Sequence, residues 1–452
     1  MNRARRKVLV VTYYFPPSGG AGVQRTLKFV RYLPEFGWEP VVLTARGADY
    51  PAYDESLVRE IPEGVRIYRS RILEPYRLYR RFTGRSMTEA TDIATLTRDE
   101  RRRRSFKERF AEFIRAAFFV PDARIAWLFF AVPLGLKILR REKIDVIFSS
   151  APPYTTNLIG LFLHRFSGLP WVADFRDSWI GWLSAPAWRP KLARALEWWM
   201  EESVLRYADR VLAVSRGVQE DLLSRHPHLR DGRWRQLPNG YDMRDFQELA
   251  PKLTDGRIVI TYTGSLYGNR NPEYLLRALE GLLQKKPRLP ERLCIRIVGR
   301  VGQPILERIR SSPAAALFEI VPYVPHRESL AYLLASDYAL LLIDDAPVNR
   351  GILTGKLFEY IGSGVPILAL APEGDAADLI RHYGLGFVVP PKDEGKIAEL
   401  LLELLRRGKP CRCGVAGISA AEARARFERR ALTRELAEIL YSVTEFRETQ
   451  RK

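Results

Sequence analysis

The chain is poor in cysteine: Cys294, Cys411 and Cys413 are its three, in 452 residues. An odd count in a long chain makes no disulfide framework and points to a reducing compartment. Cys411 and Cys413 have no second cysteine or histidine pair nearby, so their spacing is not that of a metal site. Long apolar runs are also missing. The longest, Ile125 to Leu136, is too short to cross a bilayer. The basic start, Met1 to Lys7, runs straight into a strand pattern with no small-residue cleavage site, which is not a secretory signal. There is no zinc-finger spacing or RNA-recognition motif, which argues against nucleic acid as a partner. No repeat or low-complexity segment stands out. The five histidines, His164, His226, His228, His326 and His382, share no spacing and receive no catalytic role. These absences predict a cytoplasmic protein, free or peripheral on the inner face of the cell membrane.

What the chain has in excess is positive charge. It carries 72 Lys and Arg against 53 Asp and Glu, a formal charge of +19. That balance suits anionic partners, either phosphorylated substrates or an anionic membrane surface. Its length fits two domains of roughly 200 residues each, and a hydrophobic fraction of 46% is ample for two cores.

The order of patterns divides the chain. Lys7 to Thr12 reads as a buried strand, Tyr13 to Gly22 as a loop, Val23 to Phe36 as a helix and Pro40 to Thr44 as a strand. Further strands are expected at Ile144 to Ser149, Trp171 to Asp174 and Arg210 to Val214, with helices between them. Tyr68 to Asp122 is the least regular part. There Arg101 to Arg104 precede Phe106, Phe110, Phe113, Phe118 and Phe119. That mixture suits either a helix lying on an anionic membrane or a solvated basic face over a core-facing aromatic stripe. Tyr241 to Asp255 is polar and aperiodic and reads as a boundary. The alternation then restarts with strands at Ile258 to Tyr262 and Leu293 to Val298. Ala420 to Val443 reads as one long charged amphipathic helix. The predicted fold class is α/β: two doubly wound Rossmann-like domains facing a cleft. They comprise residues 1–240 and 256–418, with the helical segment 419–452 expected to pack back on the N-terminal domain.

The most informative stretch is Asp344 to Leu370, DDAPVNRGILTGKLFEYIGSGVPILAL. It reads as a loop, a short helix and a Gly362-Ser363-Gly364 stop, followed by a strand. A helix N-terminus offers free N–H groups and the positive end of its dipole to phosphate. Lys356 adds a cation there, and Glu359 shares its helix face. Phosphate and sugar hydroxyls would engage such a pair, although the same two residues also read as a surface ion pair. Other unusual loops fall at expected strand ends: Ser18 to Arg25, Ser149 to Thr155, Asp174 to Trp179, Gly264 to Arg270 and Gly299-Arg300. The segment Gly19-Gly20-Ala21-Gly22 lets backbone approach a ligand closely, but it does not match the dinucleotide fingerprint.

On YYFPPSGGAGVQR, DFRDSW, AVSRGV, LPNGYD, YTGSLYGNRNPEYLL and KLFEYIGSGVPILAL the chain resembles a glycosyltransferase of family 4 type, with the two-Rossmann GT-B fold. The likeness covers nearly the whole chain. It implies a nucleotide-sugar held mainly by the C-terminal domain, an acceptor on the N-terminal one, retention of anomeric configuration and no metal or other cofactor. Many members carry Glu-x7-Glu. Here Glu359 fits the second position, but Gly351 stands at the first. The variant pattern Ser/Thr-x-Lys-x-x-Glu-Tyr is matched by Thr354, Lys356, Glu359 and Tyr360.

The expected roles follow. Lys356, Arg270 and the backbone from Gly351 through Thr354 and Gly355 would hold the diphosphate as negative charge builds on it. Gly20, Gly264 and Gly299 would let backbone come close, and Glu359 would take ribose hydroxyls. Asp174 or Asp177 would orient the acceptor hydroxyl or steady charge on the sugar ring. Against these stand a structural Arg176–Asp177 ion pair, an Arg270 that only faces solvent, and Arg25 as a surface residue. The expected activity is retaining transfer of a sugar to a glycan or lipid-linked acceptor in cell-surface polysaccharide synthesis. The alternatives are a nucleotide-sugar epimerase of the same fold, separable by incubation with donor alone, and a non-enzymatic scaffold for phosphorylated ligands or membranes.

Overall fold

The computed structural model describes residues 5–50, 52–74, 120–182, 189–252, 255–268, 270–410 and 418–450. The chain forms two compact units, Met1–Pro238 with Leu432–Lys452, and Asn239–Ala431.

Unit 1 is built on seven parallel strands: β1 (Arg6–Thr12), β2 (Trp38–Ala45), β3 (Arg66–Ser70), β4 (Val146–Ala151), β5 (Trp171–Phe175), β6 (Arg210–Ala213) and β7 (Trp234–Gln236). They lie in the order β3-β2-β1-β4-β5-β6-β7. Successive side chains of a strand point to opposite faces, and β1 divides two cores accordingly. Leu9 and Val11 face a cluster with Trp127, Leu163 and Trp171. Val8 and Val10 face Leu27, Val30 and Trp38. Helix α1 (Ala21–Tyr32) covers the second face. On the first face, α2 (Leu128–Glu142), α3 (Thr155–Ser167) and α4 (Lys191–Tyr207) pack side by side, with α3 in the middle.

Unit 2 carries β8 (Ile258–Thr263), β9 (Leu293–Val298), β10 (Phe318–Val321), β11 (Tyr338–Leu342), β12 (Ile367–Leu370) and β13 (Gly386–Val389), in the order β10-β9-β8-β11-β12-β13. Its pairs are all parallel. The helices that matter here are α5 (His326–Leu334), α6 (Gly355–Ser363) and α7 (Ile418–Phe427). Each sheet reverses its strand order once, beside β1 and β4 in unit 1 and beside β8 and β11 in unit 2. Ligands of doubly wound sheets bind beyond the carboxyl ends of the strands at such points.

Three readings of the sequence need correction. The single helix predicted over 420–443 is two, α7 and α8 (Arg429–Gln450). Glu428 leaves the helix to pair with Tyr241, whose N–H donates to Phe427 and whose carbonyl accepts from Arg429. The aperiodic segment after Asn239 belongs to unit 2, and Tyr241 is buried there against Gly362 and Phe246. The irregular stretch expected from Tyr68 begins inside an edge strand, β3. The rest of it, with Arg101 to Arg104 and the phenylalanines Phe106 to Phe119, lies outside the described residues, as do Cys411 and Cys413. Helix α8 returns to unit 1, where Leu432, Leu436, Leu440 and Val443 join the core of Val8 and Val10. Among the described residues no helix is long and apolar enough to cross a membrane.

Candidate active site

Helix α6 forms because Leu357, Phe358, Tyr360 and Ile361 are apolar at helical spacing, and all four are buried. It stops at Gly364, which takes a left-handed φ of 70°. Tyr360 fixes it to the sheet. Its hydroxyl donates to the Leu340 carbonyl at 3.1 Å and accepts from the Thr263 N–H at 3.2 Å, so it ties α6 to the carboxyl end of β8 and the middle of β11 at once. Burial pushes the Tyr360 phenol up to about 12.

This anchoring sets Lys356 at the first turn of α6, over the loop after β8. Gly264, with φ +110°, begins that loop, and a β-carbon on it would lie 2.4 Å from Lys356 Cε. Gly299 lies beneath in turn, since its own β-carbon would come 2.3 Å from the Gly264 carbonyl oxygen. The two glycines thus make the room that the lysine side chain fills. The Lys356 ammonium stands 5.0 Å from the centre of the Tyr262 ring. Burial, then the nearby Arg270 cation, pull its pKa down to about 7, against the opposing pull of Glu359. Arg270 closes a tight turn with Tyr267 and is half-buried.

The N-terminal end of α6 has unused polar capacity. Thr354 stands at the capping position, yet its side chain makes no capping bond, and its buried hydroxyl oxygen has no hydrogen-bond partner. Gly355 opens on empty space where a side chain would be. Gly351 is buried in the preceding 3₁₀ turn, Pro347–Gly351. One turn along α6, Glu359 Oε1 lies 2.9 Å from Nε2 of His326, the first residue of α5. Unit 2 therefore gathers Lys356, Gly264, Gly299, Arg270, Thr354, Gly355 and Glu359 around the ends of β8 and β11. Sequence reading missed His326, because nothing in the spacing of the histidines marks a partner 33 residues away.

The carboxyl ends of β1, β4 and β5 in unit 1 are held by two arginines. Arg25 is only 1% exposed, which overturns its reading as a surface residue. It grips Asp174 through two bonds of 2.8 and 2.9 Å and donates to the Leu237 and Pro238 carbonyls. Ser150 donates to the same carboxylate. Asp174 is thus enclosed and fully engaged. The predicted Arg176–Asp177 pair is replaced by main-chain bonds, for Arg176 donates to the carbonyls of Ala151, Pro152 and Gly22. Those bonds fasten the 151–153 turn to the Gly-rich loop. Asp177 is partly exposed, and its pKa is raised to about 6 by burial, with Arg176 pulling the other way. Gly20 begins α1 at φ 85° with open space around its α-carbon.

Two all-parallel sheets of Rossmann order, each with glycine-lined loops at its reversal, define a GT-B protein. The model of Glycosyltransferase Family 4 matches residues 90–245, and that of Glycosyl transferases group 1 matches residues 257–407. The chain is a family 4-like glycosyltransferase. Its fold is similar to that of a glycosyltransferase from Rickettsia africae, at 15% identity and TM-score 0.61 over 97% of this chain and 98% of that one. A sucrose-phosphate synthase from Thermosynechococcus elongatus superposes at TM-score 0.62 with 13% identity, covering 97% and 99% of the two chains. WaaG, a glycosyltransferase involved in lipopolysaccharide biosynthesis, does so at TM-score 0.55 with 16% identity, covering 96% and 99%. None of the curated proteins matches the chain.

Proposed function

We propose that the chain moves a sugar from a nucleotide-diphosphate sugar to a glycan or lipid-linked acceptor, with retention at the anomeric carbon, in cell-surface polysaccharide synthesis. The donor would bind unit 2 and the acceptor unit 1. The enzyme would work in the cytoplasm, peripheral on the inner face of the membrane. The observation that carries the donor assignment is the Lys356 ammonium beside Gly264, at a helix N-terminus whose Thr354 hydroxyl is unpaired. As the bond from the anomeric carbon to the phosphate oxygen breaks, the electron pair leaves with the diphosphate. Lys356, Arg270 and the amides from Gly351 to Lys356 would stabilise that charge without a divalent ion or other cofactor. Glu359, steered by His326, would accept from the ribose hydroxyls. Asp177 would orient the acceptor hydroxyl, while Asp174 would act only through Arg25.

A thermal-shift series with uridine, guanosine and adenosine diphosphates tests the donor site, with stabilisation by one base expected. Turnover of the donor so identified should then collapse in Lys356→Ala and in Glu359→Ala. Unchanged turnover in both would remove the assignment.

A further inference from the structure

Helices α2, α3 and α4 bury one face each in unit 1, and their outer faces are unusual in two ways. The first is apolar exposure. Phe129 on α2 is 79% exposed, Phe166 on α3 is 66% exposed, and Leu192 and Trp199 on α4 are 82% and 59% exposed. Phe162 and Phe166 stack on each other one turn apart, with ring centres at 6.1 Å. Leu192 and Trp199 are seven residues apart, so they share a stripe along α4 that faces away from the core. The patch is continuous from α3 to α4, because the Arg165 guanidinium lies over the Tyr207 ring at 4.8 Å.

The second feature is charge. Lys137, Arg140 and Arg141 are exposed on α2, and Arg165 on α3. Lys191, Arg194 and Arg206 are exposed on α4. No Asp or Glu of the three helices is exposed: Glu142 and Glu197 are buried with arginine partners, Glu201 is buried, and the half-buried Glu202 bonds to Arg206 and His228. Aromatic side chains set among cations of one sign fit a surface that is apolar beneath and anionic on top.

We propose that the outer face of α2, α3 and α4 docks on an anionic phospholipid bilayer, with Phe166 and Trp199 entering the headgroup layer and the seven cations meeting lipid phosphates. This gives a surface to the peripheral location proposed above and rests on that reading of location, but not on the assignment of the donor site. An acidic protein would meet the cations but leave four bulky apolar groups to be matched singly, whereas a fluid bilayer accommodates them without a fixed complement.

Flotation of the full chain with phospholipid vesicles tests the proposal. Binding is expected to vesicles of phosphatidylcholine mixed with phosphatidylglycerol, to weaken with added salt, and to be absent from phosphatidylcholine alone. Phe166→Ser with Trp199→Ser, and separately Lys137→Glu with Arg140→Glu, should each weaken binding about tenfold or more. All four positions are exposed, so thermal unfolding and nucleotide-dependent stabilisation should match the parent chain. Equal binding to both vesicle types, no binding, or parental binding by both double variants overturns the proposal. So does a dimer in sedimentation that the Phe166/Trp199 variant converts to monomer, since a second copy would then cover the face. Loss of the nucleotide response in the parent would instead overturn the donor site and leave the vesicle result to be judged alone.

Discussion

In the proposed donor site, Lys356 is the residue where proton and phosphate would meet. Its folded pKa of about 7 lies below the ordinary lysine value of 10.5. Between those values the unfolded chain holds a proton that the folded chain has released, so this residue makes stability rise with pH across the window. Replacement by Met should flatten that rise, measured by urea unfolding at the two ends of the window. Ligand binding has the opposite sign. A diphosphate favours the charged ammonium, so binding takes up a proton above neutral pH and weakens as pH climbs. Calorimetry of nucleotide binding in buffers of different ionisation enthalpy would show that uptake, and Lys356→Ala should abolish it while lowering turnover by about 10²- to 10³-fold. Arg25 offers a test of another kind. Removing it as Arg25→Ala strands the Asp174 carboxylate in a dry site, at a cost of about 3–5 kcal/mol. Denaturant unfolding measures that loss, and Asp174→Asn in the same chain should recover part of it. At this scale the sequence was half legible. Lys356, Glu359 and Tyr360 stand together in one short helix, where spacing alone puts them in reach of each other. Arg25 meets a partner 149 residues away, and no local pattern encodes such a meeting.

Among the elements, α6 depends on one hydroxyl. Tyr360→Phe removes the donor to the Leu340 carbonyl and the acceptor for the Thr263 N–H. Both main-chain groups are buried, so the expected cost is about 1–3 kcal/mol. Nucleotide affinity should fall as well, because the same bonds fix the Lys356 end of the helix. A comparison of unfolding midpoints and nucleotide-dependent thermal shifts checks both effects. Most elements could be anticipated, since buried parallel strands are short runs of Val, Ile and Leu and amphipathic helices have their own period. The errors fell where tertiary contacts decide. Tyr241 anchors a polar segment that has no periodicity, and the break between α7 and α8 falls where Tyr241 pairs with Glu428. No proline or glycine announces that break: residues 427–429 are Phe, Glu and Arg.

For the whole molecule, alternation of strand and helix implied two doubly wound sheets, and the observed strand orders agree. The charge of +19 implied anionic partners without showing where they bind. The site needs the fold, because Gly264, Gly299 and Lys356 are distant in sequence and adjoin only once β8, β9 and β11 are in register. Helix α8 is part of the core of unit 1, so a chain cut after Ala431 should uncover Val8, Val10 and Trp38 on that face. Poor soluble yield and strong binding of an apolar dye are the expected readouts, against a full-length control.

The same return has a consequence for synthesis on the ribosome. Translation makes the first 238 residues early, yet the segment that completes their packing, Leu432–Lys452, emerges only after all of unit 2. Unit 2 is continuous and can reach its final form while its predecessor still awaits a missing piece. The order of completion along this polypeptide is thus the reverse of the order of manufacture, and the unfinished partner is the one that cellular holdases should shelter until Leu432–Lys452 has been made.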